Sequence, residues 1–202
     1  MHKMHNVNLI NSGEQVTNDL VRVIDDYFPP WLVDIVSKDT ESMPVKYTNS
    51  PYADFNKARF FGTMLYLDDK FQDLPYYWFV DYFNRCVYND ICKELNINHC
   101  HRILLNGQLP GQNGCNHCDA DSKDYLSIIY MAHGNSGDTV LVNEEGNDVE
   151  RISFKEGRMV IFNSAEYHRG EAPTEGYRVS LGAVYPLKPI QELYSPFITP
   201  LT

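Results

Sequence analysis

The chain has 202 residues, which suits one domain with a single core, and 43% of them are hydrophobic, an ordinary share for a globular protein. Its formal net charge is −10, spread along the chain; a surface of that sign repels phosphate backbones and disfavours nucleic acid as a partner. No apolar run reaches the length of a membrane-spanning helix, and the five cysteines lack the regular spacing of a disulfide scaffold, so a soluble cytoplasmic protein with reduced thiols is expected.

Residues 1–15 are polar and lack the basic start and apolar stretch of a secretory signal. Residues 20–24 form a short β-prone run, and Asp25-Asp26-Tyr27-Phe28-Pro29-Pro30 then leads into a helix start, where the missing N–H of proline costs nothing. That helix is predicted over about 30–42, burying Trp31, Leu32, Ile35 and Val36 and stopping near Pro44. Residues 47–57 are turn-rich and read as a loop, in which Tyr52 and Phe55 are candidates for a lid over substrate. Residues 58–67 suit a strand. From 75 to 95, Phe79, Tyr82, Phe83, Cys86, Val87, Ile91 and Leu95 recur at three- and four-residue steps, which predicts the main amphipathic helix, with Trp78 assigned to packing.

Beyond His99 the pattern changes to short β-prone runs at 101–105, 125–131, 139–143, 151–154, 158–162 and 177–185, punctuated by glycine, asparagine and aspartate. Strands at that spacing predict a β-sandwich or barrel with the helices of the first half packed outside it, an α+β arrangement. The tail from Pro186 onward holds four prolines and reads as an extended arm.

Within this β-rich half, His117 and Asp119 are one residue apart, so on an extended strand both project to one face and can share a metal. His168, just after the strand at 158–162, is placed to supply a third ligand. Two imidazoles and one carboxylate make the facial triad of non-haem iron(II), which leaves three positions open. An H-x-D pair alone recurs by chance. Arg178 and Ser180 add a second feature: they alternate onto one face of a strand, where a guanidinium fork beside a hydroxyl suits a carboxylate held by two hydrogen bonds. A metal triad with a carboxylate clamp implies a dicarboxylic cosubstrate. His99, His101 and His133 show no comparable ligand spacing and read as structural or solvated, while Cys86, Cys92 and Cys118 read as packing residues.

H-x-D, a distal histidine and a downstream Arg-x-Ser together resemble the iron(II)/2-oxoglutarate-dependent oxygenase family, and most of all its prolyl hydroxylase branch. The local matches are Pro110-Gly111-Gln112 before the triad, Tyr130-Met131 with Ser136-Gly137-Asp138-Thr139 after it, and Gly157-Arg158-Met159-Val160-Ile161-Phe162 before Tyr167-His168-Arg169-Gly170. The resemblance spans about residues 101–186. It departs from the branch at Gln108, where a tyrosine is usual, and at Gly137-Asp138-Thr139, where Gly-Gly-x-Thr is frequent.

What the resemblance implies is a double-stranded β-helix, or jelly-roll, core with the N-terminal helices packed on the outer face of the major sheet. One domain would run over 1–202: residues 1–99 as helical support with a substrate lid, 100–186 as the metal-binding β-core, 187–202 as the arm. His117, Asp119 and His168 would hold Fe(II) as metal ligands and catalytic residues. Arg178 and Ser180 would take the far carboxylate of 2-oxoglutarate, and Tyr130 resembles a further contact in that pocket. Dioxygen would be the second cosubstrate and ascorbate a reductant. The reaction would couple decarboxylation of 2-oxoglutarate to hydroxylation of a substrate, first among the candidates a peptidyl proline in a protein or peptide. An aspartate at 119 favours hydroxylation over the halogenation of relatives that carry a small residue there. A free amino acid, another small metabolite or an alkylated nucleobase stays open as substrate. So does a non-catalytic or zinc-hydrolytic β-barrel, which would leave Arg178 and Ser180 without a task.

Overall fold

The computed structural model of the protein describes residues 21–42, 45–49, 60–68, 70–72, 76–92 and 100–187, and within it the side chains of 46–49, 88 and 92 are not described. The expected lid residues Tyr52 and Phe55, His99, Leu95 and the arm beyond 187 lie outside the described residues. Among the described residues no helix is long and apolar enough to cross a membrane.

Among the described residues, eleven strands and two α-helices follow one another as β1 (Arg22–Ile24), α1 (Pro30–Ser42), β2 (Lys46–Asn49), β3 (Phe60–Leu67), β4 (Lys70–Phe71), α2 (Tyr77–Val87), β5 (Arg102–Gln108), β6 (Tyr125–His133), β7 (Thr139–Val142), β8 (Asp148–Ile152), β9 (Met159–Asn163), β10 (His168–Gly170) and β11 (Arg178–Pro186). The major sheet has the order β1-β9-β6-β11-β5-β3-β2, with β4 paired to β3, and the minor sheet the order β10-β7-β8. Two separate antiparallel sheets make an open sandwich, so of the two arrangements expected the barrel is excluded. The first hundred residues contribute strands as well as helices: β1 and β3 extend the major sheet against β9 and β5. Residues 46–49, which take in the first three residues of the loop expected at 47–57, pair with β3 at Lys46↔Gly62 and Asn49↔Phe60. The strand expected at 151–154 sits earlier, at Asp148–Ile152, because Asn143 and Asn147 close the turn ahead of it.

Strand alternation divides the interior. One set from the central strands, Ile103, Leu105, Leu126, Ile128, Tyr130, Val179, Leu181, Ala183 and Tyr185, faces the helices. Phe28, at the entrance to α1, packs there against Phe79 and Phe83 of α2 and Tyr130 of β6, with ring centroids 5.6–6.2 Å apart. Each of these fully buried aromatic side chains stabilises the fold by roughly 1.5–3 kcal/mol. The helices thus cover the outer face of the major sheet. α1 is buried along Leu32, Val36, Ser37 and Thr40; Trp31 and Ile35, expected inside, lie one residue off that stripe and are 61% and 42% exposed. α2 buries Phe79, Val80, Phe83 and Val87 and continues into a π-helical turn at Tyr88–Cys92, while Trp78 and Tyr82 stand at its outer edge.

The opposite set, Ile129, Met131, Val160 and Phe162, meets Leu141 and Ile152 of the minor sheet to form a second, smaller core between the sheets. The polar residues Arg102, Gln108, Ser127, Arg178 and Ser180 share that inner face, and they build the site.

Candidate metal and dicarboxylate site

His117 and Asp119 lie in the connection between β5 and β6, outside any named strand. Their extended conformation comes from a single bridge: His117 N donates to His168 O at 2.9 Å, and His168 N donates to His117 O at 2.8 Å. Asp119 N donates to Ser164 O at 2.9 Å, which fixes the next turn of the segment. The strand expected for the H-x-D pair is therefore a one-pair extension of the minor sheet beside β10. His168, expected just after a strand, is the first residue of β10.

These backbone bonds bring the ligand atoms of His117, Asp119 and His168 within 4.8 Å of one another, the one such group of three metal-binding side chains found among the described residues. Cys115 O lies 3.0 Å from His117 Nδ1, and Glu166 O lies 3.1 Å from His168 Nδ1. A carbonyl can only accept, so both Nδ1 atoms carry a proton, and the tautomer this selects for the neutral ring leaves Nε2 as the nitrogen that can bind a metal. Burial lowers the pKa of His168 to about 4, against the pull of the Asp119 carboxylate, so its ring is neutral at physiological pH. Burial alone would raise the Asp119 carboxyl; the charge that His168 takes on at acid pH, the Arg102 guanidinium and the Ser127 hydroxyl outweigh it and hold the pKa below the ordinary range. Asp119 Oδ1 accepts from Arg102 Nη2 at 2.8 Å and Oδ2 accepts from Ser127 Oγ at 2.7 Å. Phe162 closes the floor, its ring 4.7 Å from that of His168.

Two residues along β10 from His168, about 6–7 Å of extended chain, Gly170 passes against Arg178. A Cβ at Gly170 would stand 2.9 Å from Arg178 Nη1 and 3.0 Å from Gln108 Oε1, so glycine is what lets the strand pass. Arg178 is 3% exposed and no carboxylate pairs with it among the described residues. Burial lowers its pKa to about 10, with Asp138 opposing from a distance. Its hydrogen bonds go to neutral acceptors: Nε to Gly137 O (2.9 Å), Nη1 to Gln108 Oε1 (2.6 Å) and Ser180 Oγ (3.4 Å), and Nη2 to Thr139 Oγ1 (3.1 Å). Gln108 is itself locked, because its Nε2 donates to Gln112 O and Gly170 O, which turns Oε1 toward the guanidinium. With four of five N–H groups directed this way, the two-bond fork expected from sequence becomes one free N–H flanked by the hydroxyls of Ser180 and Thr139. A buried cation balanced only by dipoles is strongly unfavourable and calls for an anion.

The structure thus brings His117, Asp119, His168, Arg178 and Ser180 to one inner face. It does not bring Tyr130 there. Tyr130 points to the helix side among Phe28, Phe79 and Phe83, its hydroxyl without a hydrogen-bond partner and its pKa raised by burial. The correction follows from strand parity: Ser127, which touches Asp119, is an odd position of β6 and Tyr130 an even one. Gln108, Thr139, Arg102 and Ser127 belong to the site without having been singled out for it. Ser127 carried a legible signal, a polar residue inside the apolar run 125–131. His101 pairs with Asp68, and His133 contacts Ser37 and stacks on Tyr177, away from the triad.

No protein-family model matches the sequence, and no curated protein matches it. Solved structures do match in fold. An oxidoreductase of the 2OG-Fe(II) oxygenase family from Burkholderia pseudomallei is 14% identical, with a TM-score of 0.64 over 83% of this chain and 85% of that one. A prolyl hydroxylase from Trichoplax adhaerens, solved with a peptide fragment of the hypoxia inducible factor oxygen degradation domain, is 16% identical, with a TM-score of 0.62 over 87% of each chain. The non-heme alpha ketoglutarate dependent carbocyclase SnoK from nogalamycin biosynthesis is 11% identical, with a TM-score of 0.58 over 82% of this chain and 79% of that one. The fold is the double-stranded β-helix of the 2-oxoglutarate/iron(II) oxygenases.

Proposed function

We propose that this protein is an iron(II)- and 2-oxoglutarate-dependent oxygenase that hydroxylates its substrate. The observation that carries the reading is a His-Asp-His cluster and, on the same inner face, a buried arginine with no carboxylate partner among the described residues, about two strand residues away, a distance that a five-carbon dicarboxylate spans. The donor set fits iron(II): two imidazole Nε2 lone pairs and one carboxylate, with no thiolate among them. When bound, iron(II) with 2-oxoglutarate and dioxygen supplies the oxidising chemistry, with succinate and carbon dioxide as coproducts.

The chain's own residues supply orientation and shielding. Arg178, Ser180 and Thr139 hold the far carboxylate, His117 and His168 present unprotonated nitrogens, and Phe162 with Ile129 and Met131 keeps the floor apolar and dry. A zinc hydrolase or a passive metal-binding barrel has no use for a buried cation packed against Gly170, two residues along the strand from a metal ligand. For the substrate we favour a peptidyl proline. The motif resemblance to the prolyl hydroxylases supports this, as does the likeness to a prolyl hydroxylase solved with a peptide. Carbocyclase chemistry on the same fold keeps a small-molecule substrate as the second reading.

The test is anaerobic purification, addition of iron(II), and measurement of succinate from 2-oxoglutarate with and without proline-rich peptides, beside His168→Ala and Arg178→Ala. Succinate that needs oxygen, iron and both residues establishes the class, and stimulation by peptide selects the prolyl reading. Succinate without peptide stimulation moves the substrate to a small molecule. No succinate, and no 2-oxoglutarate bound to the iron-loaded protein, overturns the proposal.

A further inference from the structure

We propose that Arg102 is a positioning residue that keeps Asp119 a one-oxygen ligand and so preserves the neighbouring coordination positions for the cosubstrate. The inference rests on the oxygenase reading above. A carboxylate can grip a divalent metal with one oxygen or with both, and in a facial triad the second oxygen would take one of the three positions that 2-oxoglutarate and dioxygen need. Nothing about an aspartate by itself decides between these modes. Its neighbours do.

Asp119 Oδ1 accepts from Arg102 Nη2 at 2.8 Å, and the same Nη2 lies 3.3 Å from the Asp119 carbonyl oxygen. The guanidinium therefore ties the carboxylate to its own backbone. Oδ2 accepts from Ser127 Oγ at 2.7 Å and lies 3.8 Å from His168 Nε2, with one lone pair left toward the histidines. Ser127 is in turn 2.8 Å from Ser164 Oγ, and Ser164 O receives the Asp119 N–H. Turning the carboxylate to offer both oxygens to one metal would break the Arg102 bond, the one of the pair in which both partners are charged.

Arg102 can act as a fixed strut because its backbone sits inside the major sheet, paired to Val184 on one side and Leu67 on the other. Its side chain is 30% exposed, so the tether reaches Asp119 from the mouth of the site and its replacement leaves the two hydrophobic cores intact. Arg102 touches neither cosubstrate nor substrate in this role; it acts through Asp119.

The full chain is loaded anaerobically with cobalt(II), a spectroscopically visible metal, as wild type, Arg102→Ala and Arg102→Lys. The ligand-field spectrum is recorded before and after titration with 2-oxoglutarate, and thermal unfolding checks that each variant is folded. The expected result is that Arg102→Ala still binds cobalt but with a changed spectrum before any 2-oxoglutarate is added. The 2-oxoglutarate Kd then rises tenfold or more, and Arg102→Lys recovers most of both signals. The spectrum of the cobalt form alone separates this from simple attraction of a dianion by an arginine. A folded Arg102→Ala with wild-type spectrum and wild-type Kd overturns the inference while leaving the oxygenase reading standing. A wild-type protein that binds neither cobalt nor 2-oxoglutarate overturns both.

Discussion

Arg178→Met tests the cosubstrate pocket most sharply, because it removes a cation and keeps a side chain that can fill the space. In the ligand-free protein the change has opposing effects. Four hydrogen bonds to Gly137, Gln108, Ser180 and Thr139 are lost, while an unpaired buried charge is relieved, so stability should shift by less than about 2 kcal/mol. With ligand present the effects no longer oppose. Removing one partner of a buried ion pair costs about 3–5 kcal/mol, which at about 1.4 kcal/mol per tenfold weakens 2-oxoglutarate binding at least about a hundredfold. At a ligand concentration about 100 times the wild-type Kd, wild type gains about 2.7 kcal/mol of stability, a rise in Tm of roughly 5–10 °C for a chain of this length. Under the same conditions the variant gains about 0.4 kcal/mol, or about 1 °C. Differential scanning fluorimetry with manganese(II) reads this directly without turnover. Equal ligand-induced shifts in the two proteins would refute Arg178 as the carboxylate receptor.

Gly170→Ala should weaken 2-oxoglutarate binding tenfold or more by calorimetry while manganese affinity holds, because the new methyl collides with Arg178 and Gln108 and leaves the triad untouched. Tyr130→Phe should leave 2-oxoglutarate binding unchanged and stabilise the protein by about 1 kcal/mol in urea unfolding, since it removes a buried hydroxyl with no hydrogen-bond partner; weakened cosubstrate binding would restore Tyr130 to the site. Arg158 holds the Asp25 carboxyl at about 2, against a partial opposing effect of burial and with help from Lys155. A depressed carboxyl stabilises above its unfolded pKa of about 3.9 and loses that contribution as pH falls toward 2. Asp25→Asn should therefore destabilise by about 1 kcal/mol at pH 7 after allowing for solvent screening, with the difference fading by urea unfolding as pH falls through about 2.

Periodicity carried much of the fold into view. The 30–42 helix came through with its bounds intact because proline and the apolar spacing agree locally, yet its inner face was read one residue off: Trp31 and Ile35 are as apolar as Leu32 and Val36, and only the position of the sheet distinguishes them. The Arg178 and Ser180 face was legible from alternation alone. Tyr130 was not, since its parity relative to Asp119 depends on a connection, 109–124, that belongs to no strand. Gln108 shows the same limit in another form. As a departure from a family pattern it pointed only to a difference, and its role emerges from three-dimensional neighbours, Gly170 and Arg178, that lie 62 and 70 residues away.

The lone backbone bridge between His117 and His168 has a consequence for how loading and local order are linked. Between β5 and β6 the chain runs sixteen residues, and it joins the minor sheet through this pair and a bond from Gly114 N to Gly170 O at 2.8 Å. An ion shared by His117, Asp119 and His168 cross-links that segment to β10 in the folded chain and has no such purchase on an unfolded one, so its binding energy accrues to the order of the segment. The metal centre is in that sense also a clasp, and chelation would loosen the rim of the pocket before it reached the cores.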